Sequence, residues 1–260
     1  MMGWICLMYH DVTPGSNTTE GSGEYFSVTR ATFDEQLDQV ASRGYRCGSV
    51  EQLVEGPADR RAIACSFDDG NVGQFERAVP ALVARGMSAT FFVTTNWVGK
   101  PGYISWEGLR EMKAAGMSIQ SHTRSHPFLS ELGPDALREE LRGSRDELDT
   151  QLEQVTTSLA FPGGDPPRAG LQPILRELGY RIIATSRWGI NSQLPSSTSP
   201  LWVKRCTVRG RMPAADFRAI LEGDRWLALR KGTRESALRA LRRSLGPTRY
   251  AKFRRGFLDR

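Results

Sequence analysis

Ala62-Ile63-Ala64-Cys65-Ser66-Phe67-Asp68-Asp69-Gly70 decides how this chain is read: six apolar or small residues run into two acids and a glycine. A short apolar run closed by a turn signal predicts a buried strand over residues 62–67. Adjacent residues leaving a strand point different ways, so one acid can hold a metal while its neighbour stays free. Gly70 permits the close turn. Taken alone, Asp-Asp-Gly is equally an ordinary β-turn.

Working outward, further strands are expected over residues 4–9, 89–94, 117–121, 158–161, 181–185 and 201–208. Helical spacing predicts helices over 75–85, 106–115 and 168–178, and a long one from about residue 134 marked by Leu137, Leu141, Leu148 and Leu152. Thr32 and Glu35 fit a capping box for a helix closed by Gly44. Residues 11–24, rich in Gly, Ser and Thr, read as a loop. Strand and helix alternate over some 200 residues, which implies parallel strands with helical crossovers. The expected fold is therefore α/β, its closed form a (β/α) barrel with its site at the C-terminal ends of the strands. The polar clusters obey that rule: His10, Asp68-Asp69, Thr94 to Asn96, His122 and Gly163-Gly164 each follow a predicted strand.

Composition bounds the rest. The 260 residues are 39% apolar and 25% charged, which excludes a disordered or fibrous chain. No apolar run approaches the length of a membrane-spanning helix. The net charge of +6 invites a polyanion partner, but the charge is split: residues 1–200 carry 18 Lys and Arg against 24 Asp and Glu, residues 201–260 carry 17 against 5. The chain thus divides into a body, residues 1–210, and a basic helical extension, residues 211–260. Cys6, Cys47, Cys65 and Cys206 lie too far apart for a cysteine zinc knuckle, and a disulfide scaffold is not expected at this length.

The three histidines are His10, His122 and His126. His122-Thr123-Arg124-Ser125-His126-Pro127 sets two imidazoles four apart, close enough to face one ion. Two histidines and one carboxylate are a frequent ligand set for a catalytic zinc or a similar divalent ion. Such an ion acidifies its water and polarises a carbonyl, and a spare carboxylate is then a general base.

At this point the chain resembles the polysaccharide deacetylases, the NodB-homology domain of carbohydrate esterase family four, over about residues 4–210. The resemblance rests on Leu7-Met8-Tyr9-His10, Ser66 to Gly70, Ala89-Thr90-Phe91-Phe92-Val93, His122 to Pro127, and Phe161-Pro162-Gly163-Gly164, matching in order and spacing. It implies a distorted (β/α) barrel with fewer than eight regular units. The implied activity is metal-dependent removal of N-acetyl groups from amino sugars of a polysaccharide or glycan. It implies Asp68 as general base, Asp69, His122 and His126 as ligands of a divalent ion, most simply Zn2+, and Thr123 as a brace between the two histidines. Backbone N–H groups around Pro162, Gly163 and Gly164 would face the developing oxyanion.

Two departures stand out. Many members carry an arginine in the third motif that orients the base; here that position is Ala160, so orientation must come from elsewhere. Many also supply a late histidine as general acid, and this chain has no histidine past 126. His10 is the remaining candidate catalytic imidazole, against a packing role. These losses motivate an alternative, a carbohydrate-binding relative with weakened turnover; the intact Asp-Asp-His-His set argues against it. Trp97 and Trp188 are candidates for stacking on sugar rings, with Asn191 lining the same cleft. In the tail, helices are expected over 214–221, 234–245 and 249–257; Leu238, Leu241 and Leu245, then Tyr250, Phe253 and Phe257, form stripes flanked by arginines. Packing on the barrel is the common fate of such helices; contact with an anionic membrane, and with it a lipid-linked or small-molecule sugar substrate, is the sharper reading. No nucleic-acid recognition motif accompanies the charge. The opening residues lack the pattern of a secretory signal, so a cytoplasmic or membrane-peripheral location is expected.

Overall fold

The computed structural model describes residues 3–15, 23–56, 61–164, 166, 171–191, 199–224 and 230–233, with 238, 241, 244–246 and 249 beyond. Its strands are β1 (Ile5–Tyr9), β2 (Asp11–Thr13), β3 (Ser27–Thr29), β4 (Arg46–Gly48), β5 (Ala62–Phe67), β6 (Thr90–Val93), β7 (Ser118–Ser121), β8 (Ser158–Ala160), β9 (Ile182–Ala184), β10 (Leu201–Val203) and β11 (Cys206–Thr207). Its helices are α1 (Gly23–Phe26), α2 (Arg30–Ser42), α3 (Val50–Glu55), α4 (Val79–Val83), α5 (Trp106–Ala114), α6 (Pro134–Leu152), α7 (Leu171–Glu177) and α8 (Ala214–Leu221). The main sheet runs β10-β9-β8-β7-β6-β5-β1-β11, with β4 beside the first half of β5. Its strand pairs are parallel, and the sheet curls into an incomplete barrel.

The strands read as unbroken apolar runs because both faces are covered. On β5, Ile63, Cys65 and Phe67 join the large core under the helices, where the Phe67 and Phe91 rings stack at 4.7 Å. Ala62 and Ala64 face the barrel interior with Trp4, Cys6, Ile182 and Val203. This two-residue alternation carries inward-facing Ser66 on to Asp68.

Several sequence expectations change. The single strand expected over 201–208 is two short ones: β10 pairs with β9 at one edge, and β11 pairs with β1 at the other. Lys204 and Arg205 make the step between them, so one chain segment joins both edges of the curled sheet. Part of the expected 11–24 loop is β2, paired with β3. The N-cap of α2 is Thr29, whose side chain accepts from the Thr32 N–H, three residues before the expected cap. The expected 75–85 helix begins with a π turn over Gln74–Ala78 before α4, at the foot of the acid turn. The pair β4 and α3, the latter opened by a full Ser49–Gln52 capping box, answers to no predicted element. Helix α8 lies inside the expected 211–260 extension and buries Phe217, Ile220 and Leu221 in the main core. The helices expected over 234–245 and 249–257 fall mostly outside the described residues. Among the described residues no helix is long and apolar enough to cross a membrane.

Candidate active site

The C-terminal ends of β1, β5, β6, β7 and β8 converge on one polar cluster. Past Phe67 the chain turns sharply, with φ of 81° at Asp69 and 87° at Gly70. A side chain at Gly70 would also press its Cβ to 3.3 Å from Val93. Asp69, Thr123 and His126 are three of the four described non-glycine residues with positive φ, and all three lie here. Strain of this kind persists where the surroundings over-determine the backbone, and it clusters at functional sites.

The turn brings together what 50 residues of sequence separate. Asp69 Oδ1 lies 3.4 Å from His122 Nε2 and 3.5 Å from His126 Nε2, and the three ligand atoms fall within 4.8 Å of one another. Two ligands bound at about 2.0–2.1 Å with tetrahedral angles are about 3.4 Å apart, so the spacing fits a small divalent ion. The His122 Nδ1 lies 3.0 Å from the Ala160 carbonyl oxygen, and donating there leaves Nε2 as the free ligand atom. Thr123 holds the loop from both sides: its N–H donates to Ser121 Oγ at 3.2 Å, and its Oγ1 accepts from the His126 N–H at 3.1 Å. Glu140 on α6 accepts from the N–H and the hydroxyl of Ser125. Trp97 stacks on the His126 ring at 4.8 Å.

Asp68 takes no part in that trio. Its carboxylate faces inward onto Arg205, with Nη1 to Oδ1 at 2.5 Å and Nη2 to Oδ2 at 2.8 Å. Burial pushes the Asp68 carboxyl up, but the Arg205 charge, helped by the neighbouring imidazoles, holds it below the usual range. Asp69 is likewise raised by burial and pulled well below its ordinary value by the two histidine hydrogen bonds. Behind the acids, Gln74 Nε2 donates to the backbone carbonyls of His10 and Asp68, both at 2.6 Å, tying the ends of β1 and β5. The His10 ring packs tilted against Phe26, centroids 4.6 Å apart, and its Nδ1 is buried without a hydrogen-bond partner. Burial lowers its pKa, partly offset by the charges of Asp69 and Asp68.

Other expected site residues fall differently. Pro162 has no N–H, and the Gly164 N–H is committed to the Phe161 carbonyl at 2.9 Å, so neither offers a donor for the oxyanion role. Asn191 is not in the cleft. It pairs with Trp4 ahead of β1, and its side-chain amide holds both backbone groups of Lys204, at 2.9 and 2.8 Å. Trp188 packs on the main core with the Lys231 ammonium 5.9 Å over its ring, and Lys231 pairs with Asp216 of α8 at 3.0 Å. Sequence reasoning missed Arg205, Gln74 and Glu140. For Arg205 a signal existed: a charge inside a strand-like run is buried only when paired.

A two-histidine, one-carboxylate cluster beside a second carboxylate, at the strand ends of a curled parallel sheet, is the layout of a mononuclear metal hydrolase. The comparisons agree. The polysaccharide deacetylase family model matches residues 55–183. YxkH of Bacillus subtilis (strain 168) is 27% identical over 192 residues, 72% of this chain and 66% of that protein. Poly-beta-1,6-N-acetyl-D-glucosamine N-deacetylase of Staphylococcus aureus (strain MRSA252) is 24% identical over 54% of each protein. The chain thus spans less than two thirds of the length of either. The Streptococcus pyogenes deacetylase PplD, solved in complex with acetate, superposes with a TM-score of 0.73 at 27% identity, covering 85% of this chain and 97% of that one. The chain belongs to the polysaccharide deacetylase family.

Proposed function

We propose that this chain hydrolyses the N-acetyl group of amino sugars in a polysaccharide or glycan, releasing acetate and a free amine. The observation that carries it is the division of labour at the acid turn: Asp69 faces two imidazoles, while Asp68 next to it does not. Relatives named as deacetylases of N-acetylated glucosamine polymers support this substrate class. Asp69, His122 and His126 are the residues that would hold the divalent ion, and their donor set and spacing favour Zn2+. When bound, such an ion supplies Lewis acidity toward the amide and its attacking water.

The protein groups do the rest. The Arg205 fork takes one lone pair on each Asp68 oxygen and leaves the other pair open. Asp68 removes a proton from the attacking water, the new C–O bond forms at the amide carbon, and the C–N bond breaks. The proton that Asp68 takes up passes to the leaving nitrogen, with His10, whose pKa burial lowers, the candidate imidazole for that transfer. Trp97, stacked on His126, is the aromatic side chain proposed to meet the sugar ring. The test is acetate release from N-acetylated oligosaccharides by zinc-loaded protein. Asp68→Asn is expected to lower kcat about 10^2–10^4-fold with the fold retained. An Asp68→Asn protein of undiminished activity overturns the assignment. His10→Ala is expected to slow amide hydrolysis more than hydrolysis of an aryl acetate, whose leaving group needs no proton.

A further inference from the structure

The two histidines of the cluster are held unequally. The His122 side chain is 2% exposed, and its Nδ1 meets the Ala160 carbonyl. The His126 side chain is 27% exposed, and among the described residues its ring has no such anchor: it meets Asp69 and lies against Trp97. His126 therefore depends on the loop that carries it. That loop has positive φ at both ends, 68° at Thr123 and 63° at His126. Strained backbone of this kind keeps its shape only while its surroundings pin it.

One stripe of α6 does much of the pinning. The helix is itself fixed by buried Leu137, Leu141 and Leu148. Glu140, Gly143 and Ser144 stand at i, i+3 and i+4, so they share a face. Ser144 Oγ lies 2.9 Å from Ser121 Oγ, which in turn accepts from the Thr123 N–H. A Cβ added at Gly143 would fall 2.9 Å from Arg124 Cδ, so the missing side chain makes room for the arginine stem. Glu140 completes the series by accepting from both the N–H and the hydroxyl of Ser125, the residue before His126. On the loop's other side, the Thr123 and Arg124 carbonyls accept from the N–H groups of Thr95 and Asn96, at 3.3 and 2.8 Å. Ser125, next to the less buried histidine, is exposed and is tied down by Glu140.

We propose that Glu140 is a positioning residue for His126: it latches the 123–126 loop onto α6, and so sets how tightly and for how long that imidazole holds the metal. Asp69 and His122 are the fixed part of the ligand set, and His126 is the part that lets the ion enter and leave. This rests on the metal site of the function proposed above.

The test measures zinc affinity by chelator competition, the rate of zinc loss to excess chelator, and the imidazole NMR signals of metal-free protein, in which only three histidines report. Glu140→Ala is expected to weaken zinc binding about 10-fold, the scale of losing a group that supports a ligand, and to speed zinc loss by a similar factor. In the metal-free protein the His126 signals should move while those of His122 stay. Two variants separate the latch from its charge. Glu140→Gln, whose amide oxygen still accepts from the Ser125 N–H, should keep most of the affinity. Glu139→Ala, which removes the same charge one residue away, should keep all of it. Gly143→Leu refills the space of the Arg124 stem and should weaken zinc binding as Glu140→Ala does; it decides in place of Glu140→Ala if that protein does not fold. Unchanged zinc affinity in the deciding variant, a loss in Glu140→Gln as large as in Glu140→Ala, or His122 signals that move as far as those of His126 overturns the proposal. If the unaltered chain binds no zinc, the metal site of the proposed function fails, while the metal-free His126 signals still decide whether Glu140 holds the loop.

Discussion

Two adjacent acids with the same intrinsic chemistry acquire different surroundings here. Asp68 continues the inward phase of β5 and meets a buried cation; Asp69, in the left-handed region, meets two imidazoles. Removing one partner of a buried pair leaves the other charge uncompensated, so Asp68→Ala is expected to destabilise the fold by about 3–5 kcal/mol, read from urea midpoints. Acid should act through the same groups. Both carboxyls are held below their unfolded values, so the unfolded chain takes up protons first. Their stabilisation is complete above about pH 4 and drains away as pH falls through the lowered folded values. Thermal unfolding of metal-free protein from neutral pH downward checks this, and a melting temperature that stays level well below pH 4 contradicts it. The cysteines offer an independent readout. All four are buried free thiols, and burial pushes Cys6 up to about 12. A thiol reagent at pH 8 should leave the native protein unlabelled and titrate four groups in denaturant, since the thiolate is the reactive form.

At the level of elements, caps and clamps were the least legible features. Thr32 with Glu35 has the letters of a capping box, but the helix begins one turn earlier because Thr29, at the end of β3, is still extended when its hydroxyl accepts from Thr32 N–H. Thr29→Ala should therefore cost about 1 kcal/mol, measurable by chemical denaturation, while Glu35→Ala should cost little. Asn191 tells the same story. Its letters suggested a cleft residue, but its amide occupies the backbone of Lys204, where the last strand leaves one sheet edge for the other. Asn191→Ala leaves both groups without that partner and should cost about 1–3 kcal/mol, with zinc affinity unchanged.

Over the whole molecule, the site is a product of closure. His122 and His126 come from the end of β7, Asp68 and Asp69 from β5, and His10 from β1, all read correctly as strand ends. Arg205 arrives 137 residues after Asp68, through the segment that joins the two edges of the sheet. Local sequence determined a great deal: the alternation of strands and helices, the acid pair at a strand end, the paired histidines and the family they resemble. These depend on periodicity and on spacing within a few residues, which a chain carries wherever it folds. Tertiary structure alone decided what orients Asp68, which tryptophan stacks beside the ligands, and where Asn191 lies. Each is a contact between segments far apart in the chain, selected by which side chain fills a space left by others, and no local pattern encodes that space.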